Sequence, residues 1–374
     1  MRTTKVSWLL ACATVLFAVA CGQTEKGEPP EPAEGPLDWS VLEPGSFQVG
    51  HRLLETRYDD PTGSTVTLPV DVWYPTSDTE GEPAVYFDLV EDEDAFSEAS
   101  LAATAFEGGH PVLVFSHGSN LYGGSSSYLM RHFASHGWIV TAPTHVGNTM
   151  TEFGDGDCES DVASCRPLDV WYQRPQNTMA ALDALAGGSD FAAHANTDAV
   201  VLAGYSFGGY DTWARAGGVI ERSTIEAACD AGGFDGGCTE AGIDALSMDF
   251  TDDRIRAAIP IAGAHGFPFG DTGRENLSVP VLQMSGTEDH DNPQYVWDSS
   301  TGTPLHWVSI EDGCHQMFSL GGCPEIEAEA GFDMIEAYTF AFARHHLLGD
   351  ESEETMGLLD GTLSPWPQVS IQNR

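Results

Sequence analysis

Lysine is nearly missing from this sequence. Lys5 and Lys26 are the only two, and the fifteen basic residues face 57 acidic ones, for a formal net charge of −42 at pH 7. Such a surface repels phosphates, which excludes nucleic acid as a partner. It keeps the chain soluble and suits salty surroundings, where screening within about 8 Å tames self-repulsion. Apolar runs are short: the stretch from Val6 to about Val19 falls short of a membrane span, which needs about 20 apolar residues. No histidine spacing completes a zinc site with the cysteines, so a zinc-stapled domain is excluded. Internal repeats and breaks in composition are also absent beyond the N-terminal tether. One domain with excursions is therefore expected, of about 310 residues and able to bury a sizeable core.

The ends read differently from the middle. Arg2 and Lys5 give a positive start, the apolar stretch follows, and "AVAC" closes it in small residues before a polar segment. That order is the pattern of an export signal over residues 1–20. The cysteine directly after it resembles the lipobox of bacterial lipoproteins, which implies acylation at Cys21 and a membrane anchor. Ala18 stands where leucine is commoner, "LLAC" ending at Cys12 fits with a shorter apolar core, and plain secretion is the alternative. Residues 21–36, rich in Pro, Glu and Gly, have almost nothing to bury and read as a tether. The folded part is expected over residues 37–348, with a polar tail over 349–374.

Six further cysteines fall into three close pairs: Cys158 and Cys165, Cys229 and Cys238, Cys314 and Cys323. Their connectivity is open, local pairing is the simplest, and an exported chain meets an oxidising milieu. Each small loop so closed would add roughly 2–3 kcal/mol.

"SFQVGHRLLETRY" and "TVTLPVDVWYP" alternate apolar and polar residues, as an antiparallel pair of strands does. "PVLVFSHG", "WIVTAP", "AVVLAGYS", "IRAAIPIAG", "VPVLQMSG" and "LHWVSIEDG" are short apolar runs suited to strands buried on both faces. Between them stand helix-spaced segments: "SYLMRHFASHG", "YQRPQNTMAALDALAG", "FGGYDTWARAG" and the long "EAEAGFDMIEAYTFAFARHHLL". The alternation predicts an α/β fold, a mostly parallel sheet covered by helices on both faces with antiparallel strands at its N-terminal edge. Two excursions interrupt it, at about residues 144–170 and 219–252.

"LAGYSFGGY" places Ser206 between a strand and a helix, with Gly204 and Gly208 two residues to either side. A G-x-S-x-G turn there is sharp enough to strain the serine backbone and lift its hydroxyl above the carboxyl ends of the strands. A structural turn is the bland reading, and a nucleophile the functional one. A serine hydroxyl needs a base. The expected order puts an acid after a later strand and a histidine after the last one. His315, in "EDGCHQMF", fits the base, and "SGTEDHDNP" offers Asp289, with Asp291 as the alternative acid. Two backbone N–H groups should face the oxyanion: that of Phe207, heading the helix, and that of Ser119, in the loop after "PVLVFSHG". His117 and Gly118 shape that loop. Trp171, Tyr172 and Phe207 line an acyl pocket or fill core, and Arg174 is expected to pair with a carboxylate.

"PVLVFSHGSN", "APTHVGNT", "YQRPQNTMAALDAL", "GYSFGGY", "RIRAAIPIAG", "SGTEDHDNP" and "GCHQMF" stand in an order that resembles one branch of the α/β-hydrolases. That branch holds platelet-activating factor acetylhydrolases and bacterial predicted dienelactone hydrolases. The resemblance spans residues 45–348. It implies a Ser206–His315–Asp289 triad, an oxyanion hole at Ser119 and Phe207, and ester hydrolysis with no metal or other cofactor. Tyr205 departs from the histidine of many members, and the serine argues against dienelactones, whose hydrolases use cysteine. Short-acyl or platelet-activating-factor-like lipid esters are the expected substrates, with polyester or peptide bonds as alternatives. A tethered binding protein without activity would need a missing triad member, and all three candidates are present.

Overall fold

The structure is a computed structural model and describes residues 35–152, 166–188, 190–263, 266–289, 292–319 and 321–374. The signal and tether, Cys21, Cys158, Cys165 and Asp291 lie outside the described residues. One sheet runs through the described chain. Its strands are β1 (Gln48–Asp59), β2 (Thr65–Thr76), β3 (Pro83–Tyr86), β4 (Val90–Ser97), β5 (His110–Ser116) and β6 (Ile139–Pro143). They continue with β7 (Ala195–Tyr205), β8 (Ile255–Ile261), β9 (Val281–Gly286), β10 (Leu305–Ile310) and β11 (Val369–Asn373). The order across the sheet is β11-β10-β9-β8-β7-β5-β6-β2-β1-β4-β3. From β6 to β10 neighbouring strands are parallel, and β1 and β2 pair antiparallel over their whole length. The expected mostly parallel sheet with an antiparallel N-terminal edge is observed.

Alternation along β5 explains how both faces are covered. Leu113 and Phe115 join a core with α1 (Ser127–Ser135) and α7 (Ala328–Leu348), through Phe133, Phe340 and Phe342. Val112 and Val114 join another with α2 (Leu168–Ala186), through Met179, Leu182 and Leu185. A third cluster builds on α3 (Phe207–Arg215), where Phe207, Tyr210 and Trp213 meet Trp171 of α2. The excursion over 219–252 is helical: α4 (Arg222–Asp230) and α5 (Glu240–Leu246) close it, bridged by a Cys229–Cys238 disulfide. α6 (Pro293–Ser299) follows β9, and a second disulfide joins Cys314 to Cys323. The excursion expected over 144–170 ends sooner, because α2 already begins at Leu168.

The expectation of a polar tail over 349–374 is overturned. Gly349 takes φ +68° and turns the chain out of α7. α8 (Glu353–Asp360) then buries Leu358 and Leu359, and β11 pairs antiparallel with β10 from His306↔Asn373 to Ile310↔Val369. The segment is polar on its outer side and apolar where it meets the core. Among the described residues no helix is long and apolar enough to cross a membrane.

Candidate active site

Ser206 sits at the end of β7, at the centre of the sheet, with φ +52° and ψ −116°. A serine held there costs on the order of 1–3 kcal/mol. Its surroundings leave no alternative. A methyl on Gly204 would overlap the carbonyl of Gly208, and one on Gly208 would overlap the carbonyl of Ser116 in β5. Gly209 and Gly263 pack Cα to Cα across the turn, each methyl falling 2.6–2.7 Å from the other's Cα. The Ser206 N–H is donated to Ile261 O at 2.8 Å, and Ser206 O accepts from Gly209 N–H at 2.7 Å. These contacts fix the turn between strand and helix.

Two later loops converge on that serine. The turn after β9 and the loop after β10 are pressed together, since a methyl on Gly286 would overlap the Gly313 carbonyl. Glu288 N–H donates to Gly313 O at 2.9 Å and Thr287 N–H to Ile310 O at 3.0 Å. This packing sets Asp289 beside His315. Nδ1 of His315 lies 2.9 Å from Asp289 Oδ1 and 3.1 Å from Oδ2, and Nε2 lies 2.8 Å from Ser206 Oγ. The Asp289 side chain is fully covered, whereas the imidazole is 16% exposed. Tyr205, noted in the sequence only as a departure from the histidine of many members, ties the site together. Its hydroxyl donates to His315 O at 3.0 Å, and its ring lies under Gly118, where a methyl would come within 2.8 Å.

The loop after β5 is held from below. Arg174, fully buried on α2, donates through Nη1 to His117 O at 2.6 Å and through Nη2 to Gly118 O at 3.1 Å. His117 Nε2 accepts the His145 N–H at 2.9 Å, so its Nδ1 carries the proton and donates to Gly118 O at 2.7 Å. Burial keeps His117 and His145 neutral by pushing both well below the ordinary histidine range. With the Gly118 carbonyl fixed toward Arg174, the planar trans peptide turns the Ser119 N–H the opposite way. Phe207 N–H is at the first turn of α3, where N–H groups lack intrahelical acceptors. The Phe207 ring lies 4.4 Å under the Arg174 guanidinium. Arg174 thus supports both expected oxyanion residues.

The partners of Arg174 are carbonyls, Asn148 Oδ1 at 2.6 and 3.1 Å, and Ser116 Oγ at 3.5 Å, not a carboxylate as expected. Asp211, also buried, faces it at longer range. Burial lifts Asp211 to about 6, opposed by Arg215 and Arg174, and burial lowers Arg174 to about 9. Trp171, Tyr172 and Phe207 are at most 5% exposed, which makes them core. The helical excursion leans against them: Phe234 packs edge-on to Trp171 at 6.4 Å and tilted to Phe267 at 5.9 Å.

Arg166 is a residue the sequence left unmarked. Half-buried at the entry to α2, it donates from Nε and Nη2 to Ser119 Oγ at 3.0 and 2.6 Å. Asn148 Nδ2 reaches the same oxygen at 3.2 Å. Among the described residues no group of His, Cys, Asp and Glu is placed to hold a metal ion.

The chlorophyllase family model matches residues 93–232. That span carries Ser119, Arg166, Arg174 and Ser206 and stops before Asp289 and His315. No curated protein matches. Among solved structures, ferulic acid esterase from Streptomyces cinnamoneus is similar, with a TM-score of 0.61 at 21% identity, over 88% of this chain and 98% of that one. The likeness is one of fold. The sheet and helices expected from the sequence are those of an α/β-hydrolase.

Proposed function

We propose that the chain is a serine hydrolase of carboxylic esters, with Ser206 as nucleophile, His315 as general base and acid, and Asp289 as the orienting carboxylate. One observation carries this reading: the unbroken path from Ser206 Oγ through both imidazole nitrogens to a covered carboxylate. With Asp289 on Nδ1, the proton stays on that nitrogen and Nε2 is free to accept from the serine. The alkoxide attacks the ester carbonyl, and the oxyanion forms between the N–H groups of Ser119 and Phe207. His315 then protonates the departing alcohol, leaving an acyl-serine. Water, deprotonated by the same imidazole, releases the acid and restores Ser206. The match to the chlorophyllase model and the fold shared with a ferulic acid esterase support ester chemistry.

Short-acyl esters, small lipid esters included, are the substrates this reading favours. Export is part of the proposal: the two disulfides suit an oxidising compartment, and the leader ahead of Cys21 suits lipid anchoring there. The test is hydrolysis of p-nitrophenyl acetate and butyrate by Ser206→Ala. Turnover is expected to fall by a factor on the order of 10⁵–10⁶. Turnover at the parent rate would refute the assignment.

A further inference from the structure

Several arginines of the described chain, Arg174 and Arg215 among them, stand without a carboxylate and are satisfied by backbone carbonyls. Arg166 has no such carbonyls among the described residues. Among the described residues no carboxylate lies within ion-pair distance of it, and its only side-chain acceptor is the hydroxyl of Ser119. A second guanidinium, that of Arg174, is close enough to repel it. Covering a cation beside another cation, with no carboxylate on it among the described residues, is unfavourable unless something else interacts with it.

The hydrogen bonds show where that something would sit. A guanidinium has five N–H donors, and two of those on Arg166 converge on Ser119 Oγ. The remaining donors on Nη1 and Nη2 have no acceptor among the described residues. Ser119 Oγ also accepts from Asn148, so its lone pairs are taken and its own O–H is left to donate. Arg166 and Ser119 together present a planar cationic fork and a hydroxyl hydrogen, which is the complement of a carboxylate. They do so on the loop expected to carry an oxyanion donor. The position is fixed by the backbone: Asp235 N–H donates to Arg166 O at 3.2 Å, and Pro167 bridges to Asp235 of the disulfide-closed excursion.

We infer that Arg166 and the Ser119 hydroxyl form a carboxylate-binding subsite beside the nucleophile, so that the preferred substrates are esters that also carry a carboxylate. This rests on the esterase reading for its chemistry and on Arg166 for its selectivity.

Two matched pairs of esters test it. In the first the charge is on the acyl side, p-nitrophenyl hemiglutarate against p-nitrophenyl valerate. In the second it is on the alcohol side, 4-acetoxybenzoate against phenyl acetate. Arg166→Gln should lower kcat/KM by about tenfold or more on the charged member of one pair, and by less than about threefold on both neutral esters. The pair affected tells which side of the scissile bond the carboxylate occupies. Arg166→Lys, keeping charge without the fork, should recover part of the preference. Equal losses on all four esters would make Arg166 a mere support of the loop and overturn the proposal. So would unchanged rates. Binding of monomethyl glutarate to the Ser206→Ala protein gives a readout that needs no turnover, and Arg166→Gln should weaken it by about tenfold. A chain that hydrolyses none of these esters yet binds monomethyl glutarate through Arg166 would sink the esterase reading and keep the subsite. If Arg166→Gln does not fold, glutarate at constant ionic strength should still compete with valerate ester hydrolysis in the parent protein, and no competition would overturn the proposal.

Discussion

On the proposed reading, Arg174 governs a reaction it never touches. Its fork holds the carbonyls of His117 and Gly118, and the peptide plane transmits that grip to the Ser119 N–H. A lysine at this position keeps the charge but cannot span both carbonyls and Asn148. Arg174→Lys should therefore lower kcat by about 10²–10³, the range seen when an oxyanion donor is lost, with KM changed by less than about threefold. Affinity for a boronate transition-state analogue should fall in step with kcat/KM. A variant whose kcat holds while its melting temperature drops would show Arg174 to be a purely structural residue. Ser206 and His315 were legible in the sequence because each borders an apolar strand, and order along the chain assigns their parts. Arg166 was not, and Arg174 was marked only for a carboxylate partner that it lacks among the described residues. Their partners are backbone carbonyls, the Asn148 amide and the hydroxyl of Ser119, 47 residues from Arg166, and nothing in local spacing announces such pairings.

The elements followed the same division. Buried strands of the sheet centre are continuous apolar runs, so β5, β7 and β9 could be read directly. The edges could not. The edge strands β3, "PAVY", and β11, "VSIQN", are short, and β4, next to the edge, is the acidic "VEDEDAFS". α8 was hidden by its acidic start, although Ser352 caps it by accepting from Thr355 N–H. This C-terminal segment borders the strand that leads into His315. Ending the chain after Leu348 would uncover β10 along one edge and remove Leu358, Leu359 and Val369 from the core. At about 1.5–3 kcal/mol per side chain, the melting temperature should fall by about 10 °C or more. A thermal melt followed by circular dichroism checks this, and an unchanged midpoint would show the segment to be an appendage.

Taken whole, the molecule combines a strongly acidic surface with histidines held neutral inside. Burial lowers His136 and His346 to about 3, and His117, His145, His110 and His306 are lowered as well. The unfolded chain takes up protons near pH 6.5 that the folded chain refuses. Stability is therefore full above that pH and is lost as pH falls toward about 3, by about 1.4 kcal/mol per pH unit for each such group. Asp211, lifted to about 6, takes up a proton in the folded state over melts between pH 7.0 and 5.5 and offsets one histidine's share. The six lowered histidines therefore set the sign, and a single-histidine variant assigns its part. The midpoint should drop over that interval. His136→Gln, which can still donate to Glu43 O as Nε2 does at 3.0 Å, should flatten the drop by about one proton's share. Parallel slopes in the two proteins would clear His136 of the effect. The crowded turn around Ser206 has an evolutionary corollary. With Ser206 as the proposed nucleophile, exchanging the attacking atom there is a one-codon step, because a side chain at 206 is tolerated already. Moving the point of attack would require Gly204, Gly208, Gly209 and Gly263 to change in concert, so descendants of this chain can alter their reagent far more readily than its address.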